Sequence, residues 1–245
     1  MNYLNNPLMF TLGVKKKLTE RVMLEVVTRD NRHLYADALE QMYRLRHRLF
    51  VDHMKWEGLR KPDGREIDQF DNDDAVYLLL RENGEVTGSH RLLPTTGPHL
   101  FSEVFTDMCE QKGRQIGPRV YELNRTGTDP LLPRDRQLQG MRLLLVGLME
   151  FSHRAGIEKL TLLTPLHTLY HCLMAGVQVK PLGLPKKMDD ERQAPVCFIT
   201  DETSLSNVRD YFHLHDSIVR YRGTPAGDNA TYRIPAATPL HVAAE

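Results

Sequence analysis

Two apolar runs, AVYLLLR at residues 75–81 and VTGSHRLLP at 86–94, flank the tetrapeptide Glu82-Asn83-Gly84-Glu85. Asn-Gly supplies two residues that tolerate positive φ, as a two-residue hairpin turn demands, so the runs are expected to pair as antiparallel strands. Gly88 inside the second run marks a bulge or a close backbone approach. Upstream, VMLEVVT at 22–28 has the β-branched character of a strand. Leu34, Ala38, Leu39, Met42, Leu45, Leu49 and Phe50 recur at three- and four-residue steps, which predicts an amphipathic helix over about 34–54. Downstream, LFSEVFTDMCEQ at 100–111 reads as a short helix and VYELNRTGT as a strand. A long helix over 136–156 stops at Gly156. KLTLLT, VQVKPLG and APVCFIT read as strands, HTLYHCLMAG as a helix closed by Gly176, and residues 204–213 as a last helix. A hairpin followed by β/α alternation predicts an α/β fold with a mixed twisted sheet and helices on both faces. The expected organisation is one domain over 21–222, a loosely attached arm at 1–20 and a Gly-, Pro- and Ala-rich tail at 223–245.

Composition narrows the function classes. Apolar residues make up 41% of the 245, and Lys plus Arg (32) equal Asp plus Glu (32), so no global field draws the chain to nucleic acid or an anionic membrane. The three cysteines, Cys109, Cys172 and Cys197, are odd in number and widely spaced, which argues against a disulfide framework and for a reducing compartment. The first fourteen residues carry no basic region before an apolar core, and the longest apolar stretch, 141–151, is interrupted by Arg142. The expected setting is the cytoplasm, without membrane insertion.

Residues 62–74, PDGREIDQFDNDD, hold six acids: Asp63, Glu66, Asp68, Asp71, Asp73 and Asp74. The cationic YRLRHR at 43–48 precedes them, and Arg91 and Arg125 follow inside strand-like segments. Two readings fit this pattern, a solvated turn-rich loop and a polar site closed by ion pairs. Arg91, between Leu92 and the bulge glycine, favours the second, because an uncompensated buried ion costs several kcal/mol. Arg46 and Phe50 are one helical turn apart and Trp56, the sole tryptophan, follows, so a cation and aromatic rings are presented together. A core Phe beside a snorkelling Arg fits the same spacing. Glu122 and Arg125 are three apart and face opposite sides of a sheet unless a bulge realigns them. His167 and His171 share a helix face without a third ligand, so no metal is expected. No G-x-S-x-G elbow, P-loop or G-x-G-x-x-G occurs, which favours direct transfer between two bound substrates.

These blocks, in order, resemble the acyl-homoserine-lactone synthases, the autoinducer synthases of bacterial quorum sensing. R-x-x-x-F then W is Arg46, Phe50 and Trp56; E-x-D-x-x-D is Glu66, Asp68 and Asp71; RLLPTTGPHL spans 91–100 with Phe105 after it; E-L-x-R is Glu122 to Arg125. The likeness is strong over about 34–130 and weaker beyond. Tyr121 stands where the family has tryptophan, and Asn124-Arg125-Thr126 stands for Ser-Arg-Phe. The resemblance implies an α-β-α sandwich similar to the GNAT acyltransferases. It implies a reaction in which the amine of S-adenosylmethionine takes an acyl group from a thioester and the product then lactonises, releasing methylthioadenosine. By the same resemblance Glu122, Arg125 and Glu66 are the expected catalytic residues. Arg46, Phe50, Trp56, Asp68, Asp71, Arg91 and Phe105 are expected to form the S-adenosylmethionine pocket and its ion pairs. Leu144, Leu148, Met149, Thr164 and Met174 are the candidates for an acyl pocket. The implied donor is acyl-carrier protein more often than acyl-CoA, the implied state a monomer, and no tightly bound cofactor is implied. Two alternatives stay open: an N-acyltransferase that stops before lactonisation, and an inactive ligand-binding module.

Overall fold

The computed structural model describes residues 22–109, 115–188 and 190–223. Nine strands form one sheet among these residues: β1 (Val22–Val27), β2 (Val76–Glu82), β3 (Glu85–Pro94), β4 (Val120–Thr128), β5 (Lys159–Pro165), β6 (Gln178–Pro181), β7 (Lys186–Met188), β8 (Glu191–Ile199) and β9 (Val219–Tyr221). Their order is β6-β8-β5-β4-β3-β2-β1-β9, with β7 also on β8. The expected hairpin is present. Asn83 (φ 52°) and Gly84 (φ 91°) both take positive φ, and Glu82 pairs with Glu85 across the turn. Gly88 meets both expectations: the β2–β3 register shifts beside it, and a Cβ there would lie 3.1 Å from the Gly127 carbonyl oxygen and from Leu144.

Helices cover both faces. On one, α1 (Ala36–Arg46) buries Ala38, Leu39, Met42 and Leu45 against Val27, Tyr77, Leu79 and Leu93. On the other, α3 (Arg134–Arg154) buries Leu143, Leu144, Val146, Leu148, Met149 and Phe151 against Leu24, Leu78, Leu80 and Leu92. Each of the buried Leu, Val, Met and Phe side chains contributes about 1.5–3 kcal/mol. The short α2 (Leu100–Glu103), α4 (Leu166–Met174) and α5 (Glu202–Phe212) complete the layers. No helix among the described residues is long and apolar enough to cross a membrane.

Three details differ from the sequence expectation. The first helix does not run as one α-helix to residue 54; after Arg46 it widens into a π-helix, His47–His53. The amide of Met54 bonds the Leu49 carbonyl and that of Trp56 reaches the Phe50 carbonyl, which turns Trp56 back toward Phe50. The helix expected over 100–111 is only Leu100–Glu103; residues 110–114 lie outside the described chain, as do the arm at 1–20 and residues 224–245 of the tail. Finally, β7 and β9 have three residues each, too few to show any alternation.

The junction of β4 and β5 positions the site. All neighbours are antiparallel except β4–β5 and β1–β9. The parallel pair β4–β5 bonds only from Val120–Lys159 to Glu122–Thr161. Beyond it β4 continues on β3 and β5 on β8, so a wedge opens at Glu122.

Gly147 lets α3 approach the sheet, since a Cβ there would collide with Leu24 of β1. Gly147→Ala is expected to destabilise by about 1–3 kcal/mol through overpacking. A thermal melt checks this; an unchanged Tm would mean that Leu24 yields without strain.

Candidate active site

The acidic loop crosses the α1 face of the sheet and delivers three carboxylates onto three arginines. Arg46, at the end of α1, donates from Nε to Glu66 (2.6 Å) and from its two terminal nitrogens to both oxygens of Asp71 (2.7 and 2.9 Å). Arg91, on β3, donates to both oxygens of Asp68 (2.5 and 2.9 Å) and lies 2.9 Å from Asp71. Arg125, on β4, donates to Glu66 (3.0 Å) and to Asp68 (2.8 Å). Forked guanidinium–carboxylate pairs fix geometry as well as charge. Arg46 and Arg91 are fully buried. The open edge of the network is Arg125 with Asp68, whose side chains retain 10% and 12% exposure. The loop backbone is tied down too: the Glu66 amide bonds the Tyr43 carbonyl, and the Asp68 amide donates to Asp71.

Electrostatics keep Arg46, Glu66, Asp71 and Arg91 charged despite burial. Burial opposes ionisation of Asp71, but the Arg46 fork and the Arg91 charge hold its carboxyl well below the usual range. Glu66 is likewise held low against burial by Arg46 and Arg125. Burial works against the Arg46 charge as well, and Asp71 and Glu66 more than reverse it. Asp63, Asp73 and Asp74 take no part in the network; they pair on the surface with Arg65, Arg32 and Arg29.

A bulge brings Glu122 and Arg125 to one side. Ser89 pairs with Gly127 and Arg91 with Asn124, so His90 alone opposes both Arg125 and Thr126. Arg125 takes the extra position in left-handed geometry, φ 47°. Its guanidinium lies 5.5 Å from the Phe50 ring centroid, and Phe50 stacks on Trp56 at 5.3 Å and 15°. Trp56 is 40% exposed, the outer leaf of that stack. Gly127 admits Leu49 of the π-helix, where a Cβ would collide with it.

Glu122 sits at the β4–β5 wedge. Its carboxylate accepts from the amides of Leu100 (3.0 Å) and Phe101 (2.8 Å) and from Asn124 Nδ2 (3.0 Å). Burial raises its pKa, and these donors with His99 offset only part of the rise. Asn124 Oδ1 in turn accepts from Arg91 Nε at 2.7 Å, linking Glu122 to the arginine network.

Thus Arg46, Glu66, Asp68, Asp71, Arg91 and Arg125 gather in one network, with Phe50 and Trp56 on its rim and Glu122 joined through Asn124. Phe105 stands apart, in an apolar cluster with Phe101, Met108 and Leu182. Leu144, Leu148 and Met149 lie in the core on the α3 side, and Thr164 is buried on β5. Met174 is corrected: it is 51% exposed, because α4 buries only Cys172, so it lines no enclosed pocket. Burial pushes the Cys172 thiol up to about 11, away from nucleophilic use.

Sequence reading missed Asn124, the hydroxyl of Tyr77, which donates to Asp71 (2.8 Å), and Phe70, whose ring lies 5.8 Å from the Arg91 guanidinium. Spacing carries no signal for them, since each depends on which face of the sheet the loop covers.

Two consequences follow for stability. Asp71→Ala strips a carboxylate from Arg46, Arg91 and Tyr77 and is expected to cost about 3–5 kcal/mol in urea unfolding; a loss no larger than that of a surface variant would contradict this burial. His90 is buried on the α3 side, where desolvation lowers its pKa from 6.5 to about 4. Between those values the unfolded chain binds the extra proton and the folded one does not. This stability is therefore complete above pH 6.5 and lost as pH falls toward 4, about 2 kcal/mol between pH 7.5 and 5. Unfolding midpoints at both pH values for wild type and the non-titrating His90→Gln variant check it, since only the wild type carries this slope.

Comparison with known proteins places the chain. The autoinducer synthase family model matches residues 30–208. The isovaleryl-homoserine lactone synthase of Bradyrhizobium diazoefficiens is 40% identical over 169 residues, 69% of this chain and 75% of that protein. An acyl-homoserine-lactone synthase of Agrobacterium fabrum is 30% identical over 164 residues, covering 65% and 77%. Among solved structures, the CoA-dependent acyl-homoserine lactone synthase BjaI, determined with MTA, superposes at a TM-score of 0.76 with 35% identity over 83% of this chain and 95% of that one. MesI, also a CoA-dependent acyl-homoserine lactone synthase, reaches 0.72 with 25% identity over 80% and 98%. The chain belongs to the autoinducer synthase family and is an acyltransferase.

Proposed function

We propose that this enzyme makes an N-acyl-homoserine lactone from S-adenosylmethionine and an acyl thioester, without a tightly bound cofactor. The observation that carries this reading is the closed network of three arginines and three carboxylates, rimmed by Phe50 and Trp56 and linked through Asn124 to Glu122 at the β4–β5 wedge. The stacked rings suit a planar adenine, and the slightly open Asp68–Arg125 edge suits an amino acid's paired charges. A related structure of BjaI is with SAM and isopentyl-CoA, which supports both substrate classes.

In the first step the amine nitrogen bonds to the thioester carbonyl carbon and the thiol leaves. The amine proton needs an acceptor near neutral pH. Glu122 takes that role, directly or through an ordered water, because burial makes its carboxylate more basic. Backbone amides of β4 at the point where its pairing with β5 ends, Glu122–Thr161, serve as the donors for the developing oxyanion. Holding both substrates in attack geometry supplies much of the remaining acceleration. In the second step the methionine carboxylate bonds to its own γ-carbon. The C–S bond breaks, its electron pair stays on sulfur, and methylthioadenosine leaves. Glu66 and Arg125 act by holding the acidic loop over the substrate.

The donor is acyl-CoA. Carrier protein is the commoner donor in the family, but the similar BjaI and MesI are both CoA-dependent synthases. A short branched acyl group is the first to test, given the isovaleryl product in the name of the 40% identical relative. The three buried cysteines, none in a disulfide among the described residues, support a reducing, cytoplasmic setting, and we take the acting form to be a monomer.

Purified enzyme given S-adenosylmethionine and a panel of acyl-CoA and acyl-carrier-protein thioesters, followed by mass spectrometry, is expected to yield lactone and methylthioadenosine in equal amounts. Acyl amide without methylthioadenosine would support the non-lactonising acyltransferase instead, and faster turnover with carrier protein would reverse the donor. Arg91→Ala is expected to lose turnover by more than about a hundredfold, as for removal of a buried charge partner. Trp56, the sole tryptophan, reports binding directly: its fluorescence should change on adding S-adenosylmethionine, and Trp56→Ala should raise KM for that substrate more than for the thioester.

A further inference from the structure

Thr126 and His90 lie outside the ion-pair network, yet they occupy the irregularity on which it depends. His90 Nδ1 is 2.9 Å from Thr126 Oγ1, and its Nε2 is 3.1 Å from the carbonyl oxygen of Leu144 in α3. A carbonyl only accepts, so Nε2 carries the ring hydrogen and Nδ1 accepts from the Thr126 hydroxyl. The result is a directed chain from strand β4 through β3 to the helix, with every group neutral.

Its place matters because of the bulge. Two residues of β4, Arg125 and Thr126, face His90 alone. A glycine two positions on would be the natural occupant of the left-handed site, yet that geometry belongs to Arg125, φ 47°. Gly127 is instead held where Leu49 enters. Were the extra residue to slip by one, Arg125 would turn toward the α3 core and Thr126 toward the arginines.

We propose that His90 and Thr126 are a positioning pair that fixes the bulge, and through it the face on which Arg125 stands. Thr126 is bound to the α3 side by His90; its predecessor therefore projects to the α1 side, where it meets Glu66, Asp68 and the Phe50 ring. On this reading the departure of Thr126 from an aromatic residue is one half of a matched polar pair, and His90 is the other.

The test compares Thr126→Val, which keeps the shape and loses the hydroxyl, with Thr126→Ser, which keeps the hydroxyl. Thr126→Ala stands in if the valine variant does not fold. In ligand-free protein the Arg125 Nε–H resonance, protected by its bond to Glu66, is expected to persist in wild type and Ser and to vanish in Val. This readout is independent of the proposed substrate. Resting on the proposed function, the KM for S-adenosylmethionine should rise about tenfold in Val, the scale of one buried hydrogen bond, with kcat and the thioester KM within about twofold and full rescue by Ser. Wild type that fails to bind S-adenosylmethionine overturns the proposed function but not the pair. An Arg125 resonance unchanged in Val, or lost equally in Ser, overturns the pair.

Discussion

A charge with no water around it dictates its surroundings. Arg46 and Arg91 are fully buried at the centre of the α1 face, and neither sheds its proton at any relevant pH. Each needs carboxylates, and the chain supplies them from one loop, with the bidentate forks of Asp71 and Asp68 and the single bridge of Glu66. Replacing such a network with apolar side chains is often neutral or stabilising, whereas removing one member is severe. Its value therefore lies in specificity: the loop is either fully seated on all three arginines or costly to hold anywhere near them.

The sheet separates this polar layer from an apolar one. Residues of β2, β3 and β4 that point to α1 include Tyr77, Arg91, Glu122 and Asn124, while Leu78, Leu92, Tyr121 and Leu123 point to α3. The wedge at Glu122 is where the two layers communicate, because β4 and β5 cease to bond there. A chemistry that joins a charged amino acid to an apolar acyl chain needs such a boundary, and Glu122, its pKa raised by burial, sits on it.

Much of this was legible in the sequence wherever a local rule applied. Asn83-Gly84 announced its turn because two positive φ values suit few other pairs. The apolar period of α1 and α3 announced amphipathic helices, and the order of acids and arginines announced the ion pairs. What escaped notice was set by tertiary packing. Leu49 and Phe50 still fall four residues after Leu45 and Arg46, so periodicity alone carried the π-helix as part of one element. Arg125 was expected to oppose Glu122 unless a bulge realigned them; that the bulge falls here, with a left-handed φ at a non-glycine residue, is invisible in composition. Met174 looked like pocket lining because apolar character does not reveal which way a short helix faces.

The contact between Leu49 and Gly127 has a wider meaning. Leu49 neighbours Phe50 in the π-helix, and Gly127 follows Thr126 in the bulged strand. With no side chain between them, the π-helix and the bulged strand form a rigid coupling without slack. A side chain at 127 would push that helix outward and carry the Phe50–Trp56 stack with it. Substitutions made on one face of the sheet to accommodate a different acyl group would thus be transmitted to the ring stack on the other. The two halves of the site would have to change together.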